Sequence, residues 1–100
     1  MAARKEKAPD CASVLKAIAD ETRLAVLQQL MRGPRHVGEM NEALSIEQSL
    51  LSHHLKILRD SGLVTAERDG KAVLYRLSPQ VEGARKGKNI HLGCCVLSFE

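Results

Sequence analysis

Tryptophan is absent from this 100-residue chain, and phenylalanine and tyrosine occur once each. A core built from it must be aliphatic, and the aromatic platforms on which single-stranded bases stack are excluded. No apolar run approaches the roughly 18 residues that a membrane-spanning helix needs, and no signal peptide is evident. A cytoplasmic location without membrane contact is therefore expected. There is no glycine-rich phosphate loop, internal repeat or low-complexity segment. Neither sign of charge dominates: 15 Lys and Arg against 12 Asp and Glu leave a net +3, mildly favourable for a nucleic-acid partner. Part of that charge lies towards the ends, in Arg4, Lys5, Lys7, Arg85, Lys86 and Lys88, where solvated tails explain it equally well. With 44% hydrophobic residues, the chain can fill one modest core.

What is present is most informative between residues 44 and 63, LSIEQSLLSHHLKILRDSGL. Leu51, Leu55 and Leu58 recur at i, i+4 and i+7, the buried stripe of an amphipathic helix that ends at Gly62. The spacing leaves Gln48, Ser49, Ser52, His53, Lys56 and Arg59 on or near the opposite face. These side chains hydrogen-bond, are partly cationic and suit a major groove, although an ordinary solvated face has the same composition. Glu47, at the expected N-cap, caps poorly and could displace the helix start by one residue.

Upstream, Asp20 is placed to cap a helix running to about Met31, with Leu24, Leu27 and Met31 as its buried positions and Gly33 just past its end. Residues 11–19 carry Val14, Leu15 and Ile18 at helical spacing. Pro34 breaks the chain, and Val37, Met40 and Leu44 predict a short helix before a turn at Ser45-Ile46. Downstream the period changes. Leu63-Val64 opens a strand, Asp69-Gly70 reads as a turn pair, and Val73, Tyr75 and Leu77 alternate in the returning strand. The tip carries Arg68, Asp69 and Lys71. Helix-turn-helix followed by a charged hairpin is the layout of a winged helix, mainly α with a small β-hairpin (α+β), in the order α-α-α-α-β-β. The expected division is a flexible tail over 1–10, a winged-helix domain over 11–78, and a linker with a cysteine-containing strand over 79–100.

The runs LKAIADETRLAVLQQLMRG, HVGEMNEAL and SLLSHHLKILRDSGLVTAERDGKAVLYRL, spanning roughly residues 14–78, resemble the ArsR/SmtB family of small winged-helix repressors. The resemblance implies a homodimeric repressor that binds an imperfect palindrome in double-stranded DNA and leaves it when an inducer binds. By the same resemblance Gln48, Ser49, Ser52, His53 and His54 face DNA, with Arg68 and Lys71 in the wing. Many members carry a Cys-x-Cys before the recognition helix. Here His36 and Gly38 stand at those positions, so that metal site does not carry over, and a lone His36 has no chelating partner beyond Glu39. The family's carboxylate-histidine site on a final helix is also missing. Residues 79–89 hold Pro79, Gly83 and Gly87, which oppose a long helix.

The segment IHLGCCVLSFE, residues 90–100, reads instead as a strand, with Gly93 allowing a bulge. Cys94 and Cys95 are adjacent in it, and Cys11 begins the first helical segment. Three readings of these thiols stay open. They could pack as small apolar groups. They could bind As(III) or another soft ion as inducer, with Cys94, Cys95 and Cys11 as ligands and His91 as a fourth, although adjacent strand residues point to opposite faces. They could act as a redox or reactive-sulfur sensor, with Cys11 or another subunit resolving, because an adjacent pair closes only a strained ring. In a reducing cytosol, metal or redox chemistry fits three thiols better than a structural disulfide. A repressor with no inducer is a further alternative.

Catalysis is not expected. Ser52, His53 and His54 lie consecutively on one helix, where side chains diverge by about 100° and no carboxylate orients them. A winged helix used only for protein contact is the remaining class, and the hydrogen-bonding face and charged wing disfavour it.

Overall fold

The computed structural model describes residues 10–79, 81 and 89–99. Helices α1 (Cys11–Ile18), α2 (Glu21–Met31), α3 (Val37–Leu44) and α4 (Gln48–Asp60) are followed by strands β2 (Val64–Asp69) and β3 (Ala72–Leu77), with a two-residue strand β1 (Arg35–His36) between α2 and α3. Two further strands, β4 (Asn89–His91) and β5 (Val96–Ser98), form a separate antiparallel pair. The architecture is a winged helix-turn-helix, as the alternating periods of the sequence predict.

The helix ends follow from local chemistry. The Asp20 carboxylate accepts hydrogen bonds from the backbone N–H groups of Thr22 (2.8 Å) and Arg23 (3.0 Å), satisfying two orphan donors of α2. Ser45, at φ 51° and ψ 49°, ends α3 in the left-handed region and turns the chain towards α4. At the far end of α4, Gly62 adopts φ 81°. Its N–H donates to Arg59, and the N–H of Leu63 donates to Leu58, both at 3.0 Å, the paired bonds of a Schellman closure. Leu58 and Leu63 are both fully buried, so the closure also docks the start of the wing onto the core.

Leu51, Leu55 and Leu58 form the inward stripe of α4, packing with Val14 and Ala17 of α1, Val26, Leu27 and Leu30 of α2, and Met40 of α3. Two expectations shift. In α2 the fully buried residues are Val26, Leu27 and Leu30, while Leu24 and Met31 are half-buried. In α1, Val14 is buried but Leu15 is 48% exposed.

β2 and β3 pair in register from Val64↔Leu77 to Asp69↔Ala72. Asp69 is thus the last residue of the strand, and Gly70-Lys71 forms the two-residue turn instead of Asp69-Gly70. Gly70 has φ 65°, the positive angle that the first central position of a type II′ turn requires. β1, extended after Pro34, adds to the outer edge of β3 through Arg35↔Tyr75 and His36↔Leu74.

At the carboxy end, the single expected strand is a hairpin. Ile90 pairs with Leu97, and Leu92 N–H donates to Cys95 O at 2.9 Å across a turn where Gly93 adopts φ 96°. Cys94 and Cys95 therefore occupy a turn, not a strand. Ile90 and Leu92 bury their side chains in the main core. The tail expected over 1–10 lies outside the described residues except for Asp10, as does most of the expected linker after Pro79.

Candidate nucleic-acid interface and cysteine pair

The outward face of α4 carries Gln48, Ser49, Ser52, His53 and Lys56, all exposed, on a back of leucines that fixes the helix against α2 and α3. Glu47 stays as the N-cap residue without a side-chain capping bond. Its carboxylate instead accepts from the Ser49 hydroxyl at 3.0 Å. Lys56 pairs with Asp60 at 2.8 Å one turn on, an exposed contact easily exchanged for another anion. In the wing, Arg68 near the end of β2 and Lys71 in the turn are exposed, and Arg76 pairs with Glu67 at 3.3 Å across the strands.

His54 departs from its expected place on this face. It is 8% exposed, and its Nδ1 lies 3.0 Å from the Arg23 guanidinium and 4.0 Å from the Asp20 carboxylate. Burial, which penalises the charged ring, lowers its pKa; Arg23 and His53 act in the same direction and Asp20 against them. Arg23 also donates to the backbone oxygens of Ala17 (2.6 Å) and Lys16 (3.2 Å) at the end of α1. His54 is thus a strut between α1, α2 and α4. The sequence signal for this was available, because residue 54 stands three after Leu51 and four before Leu58, both on the buried stripe.

A second histidine went unassigned in the sequence. His36, at the head of α3, places Nε2 2.8 Å from Asp69 at the end of β2 and Nδ1 3.3 Å from Glu39. Its backbone N–H donates to Glu39 at 2.7 Å. The hydrogen bond to Asp69 raises the His36 pKa, and that backbone bond lowers the pKa of Glu39.

Cys11 and Cys94 are joined as a disulfide, with their Cα atoms 5.7 Å apart. Cys95 is a free thiol whose half-buried side chain packs against the core, whereas Cys11 and Cys94 lie at the surface. The expected three-sulfur set of Cys11, Cys94 and Cys95 is therefore not assembled. Cys94 bonds Cys11 of α1, while Cys95 remains a free thiol against the core. Among the described residues, no group of three His, Cys, Asp or Glu side chains is arranged to hold a metal ion, and no helix is long and apolar enough to cross a membrane.

Comparison with known proteins agrees with this geometry. The family model for the bacterial regulatory protein, arsR family, matches residues 20–66. The HTH-type transcriptional repressor SmtB of Mycobacterium tuberculosis is 48% identical over 65 residues, which are 65% of this chain and 48% of that protein. The structure of HlyU from Vibrio cholerae N16961 superposes with a TM-score of 0.67 at 40% identity, covering 72% of this chain and 79% of that one. The solution structure of the homodimeric winged helix-turn-helix DNA-binding domain of Mb0332 from Mycobacterium bovis gives a TM-score of 0.68 at 34% identity, over 71% and 66% of the two chains. The chain belongs to the ArsR family of bacterial regulatory proteins. It spans 60% and 48% of the length of two of the curated relatives that it matches.

Proposed function

We propose that this chain is a transcriptional repressor that binds a two-fold operator in double-stranded DNA as a homodimer, and that oxidation of Cys11 and Cys94 relieves binding. One observation carries the DNA reading: the exposed hydrogen-bonding face of α4 is fixed by a fully buried leucine stripe, beside a wing with Arg68 and Lys71 at its tip. A rigid helix of this kind can place Gln48, Ser49, Ser52 and His53 at base edges while the wing meets phosphates. The similarity to SmtB, a transcriptional repressor, and to Mb0332, a homodimeric DNA-binding domain, supports the same reading.

For the dimer face, the candidates are α1 and the β4–β5 hairpin. Leu15 and Val96, 48% and 53% exposed, lie on these two elements, which the disulfide joins. A second copy would cover both. Two recognition helices read one operator only when the subunit contact spaces them by about one helical turn of DNA, roughly 34 Å. A covalent bond between α1 and the hairpin, made by a two-electron oxidant such as hydrogen peroxide with release of two waters, would alter that spacing. The surface position of Cys11 and Cys94 favours this over the As(III) alternative, which lacks its third sulfur. Once reduced, the same two thiolates could still hold a soft metal ion that accepts two sulfur ligands.

The test is selection of duplexes from a random library by the purified reduced protein, then gel shifts at two salt concentrations with and without peroxide. Enrichment of a palindrome, affinity falling steeply with salt, and release on oxidation are expected. Failure to enrich any duplex removes the DNA reading.

A further inference from the structure

Leu50 is the only large apolar side chain that α4 leaves in solvent, 46% exposed, while Leu51, Leu55 and Leu58 are fully buried. A single exposed leucine is unremarkable on most surfaces. The position of this one is not. It lies in the first turn of α4, directly after Ser49 and three residues before His53, so it shares a side with His53 one turn along. Recognition helices bring their N-terminal residues to base edges. Leu50 is thus an apolar group set among side chains that can hydrogen-bond to those edges. In the major groove the matching apolar feature is the C5-methyl of thymine, which distinguishes T·A from A·T where oxygen and nitrogen patterns alone are less selective.

We propose that Leu50 is a specificity residue that packs on a thymine C5-methyl in each half of the operator. The inference rests on the DNA-binding reading above and adds what one position of the operator must be. Burial of the methyl removes apolar surface on both partners, and a methyl-sized group is worth about 4-fold in affinity. The polar neighbours gain nothing from the methyl itself, which offers no hydrogen bond, and the thymine O4 is unchanged by its removal.

The experiment begins with the duplex that the wild-type protein selects. Each thymine is replaced singly by deoxyuridine, which removes the methyl and leaves the pairing edge intact. Binding of each duplex is measured with wild type, Leu50→Ala and Leu50→Met, and circular dichroism confirms that both variants are folded. One thymine per half-site is expected to lose about 4-fold on replacement with wild type and with Leu50→Met. With Leu50→Ala, already weakened by a similar factor on the natural duplex, the same replacement changes nothing further. If Leu50→Ala binds as wild type, or shows the same deoxyuridine profile, the assignment of Leu50 is overturned while the DNA reading stands. If no duplex is selected at all, both fall.

Discussion

The Arg23 guanidinium donates to Nδ1 of His54 across 3.0 Å. An arginine can only donate, so this nitrogen accepts and the ring proton sits on Nε2. The contact therefore needs His54 neutral, in agreement with the direction in which burial and Arg23 move its pKa.

Acid should loosen the fold through this contact. The pKa of His54 in the folded protein lies below its ordinary value of 6.5, so the unfolded chain binds the proton more readily. The stability from the neutral ring is complete above about pH 6.5 and declines as the pH falls towards the folded value. Thermal melts between pH 8 and pH 5 should show the decline in wild type and a flatter profile in His54→Gln. Equal slopes would place the titration elsewhere.

Arg23→Ala removes donors to His54, Ala17 and Lys16 at once. A loss of about 2–3 kcal/mol in unfolding free energy is expected in urea. Arg23→Lys should recover little, because one ammonium cannot reproduce the planar fork that serves two elements. Recovery by lysine would show that charge alone holds the junction.

The wing carries the opposite pH dependence. His36 has its pKa raised by Asp69, so its contribution is complete below about 6.5 and disappears as the pH rises through the higher folded value. An NMR titration should give the His36 ring a pKa above that of a free histidine, and Asp69→Asn should bring it down. Proton exchange at Gly70 should quicken in His36→Ala if the clasp steadies the tip.

The recognition face should separate from stability. Ser52→Ala with His53→Ala exchanges two exposed side chains, so melting should stay within about 0.5 kcal/mol of wild type. Operator affinity should fall by one to two orders of magnitude, since good base contacts are worth about 1–3 kcal/mol each. Unchanged affinity would remove α4 from the groove.

The cysteines should divide two against one. Cys11→Ser and Cys94→Ser should each bind operator but no longer release it on oxidation, whereas Cys95→Ser should respond like wild type. The bond joins positions 83 residues apart, so its reduction should lower unfolding free energy by about 4.5 kcal/mol on a chain-entropy basis. Oxidative release persisting in Cys11→Ser would move sensing to another pair.

Elements set by local chemistry were legible in the sequence. Asp20 before a helix, Gly62 after one, and a glycine between alternating strands each act within a few residues, and the structure uses all three. What escaped was decided at a distance or by competition. His54 was set towards DNA by the family resemblance alone, although its spacing from Leu51 and Leu58 points it inward. Leu15 looked inward because the mostly apolar α1 does not say which of its faces α2 will cover. The union of Cys11 with Cys94 depends on a hairpin folding back over most of the chain, and no local pattern reports such a contact. The turn that holds Cys94 and Cys95 was hidden by a run of residues with strand-forming side chains.

The Schellman closure at Gly62 has a mechanical consequence. Because Leu58 and Leu63 are held in one core, and Ser78 N–H returns to Leu63 O at 2.9 Å, the hairpin inherits its orientation from α4. Any duplex seated on the helix has already had the approach of the wing decided for it. On the proposed DNA reading, flanking affinity would be tuned by exchanging Arg68 or Lys71, not by swinging the strands to a new angle.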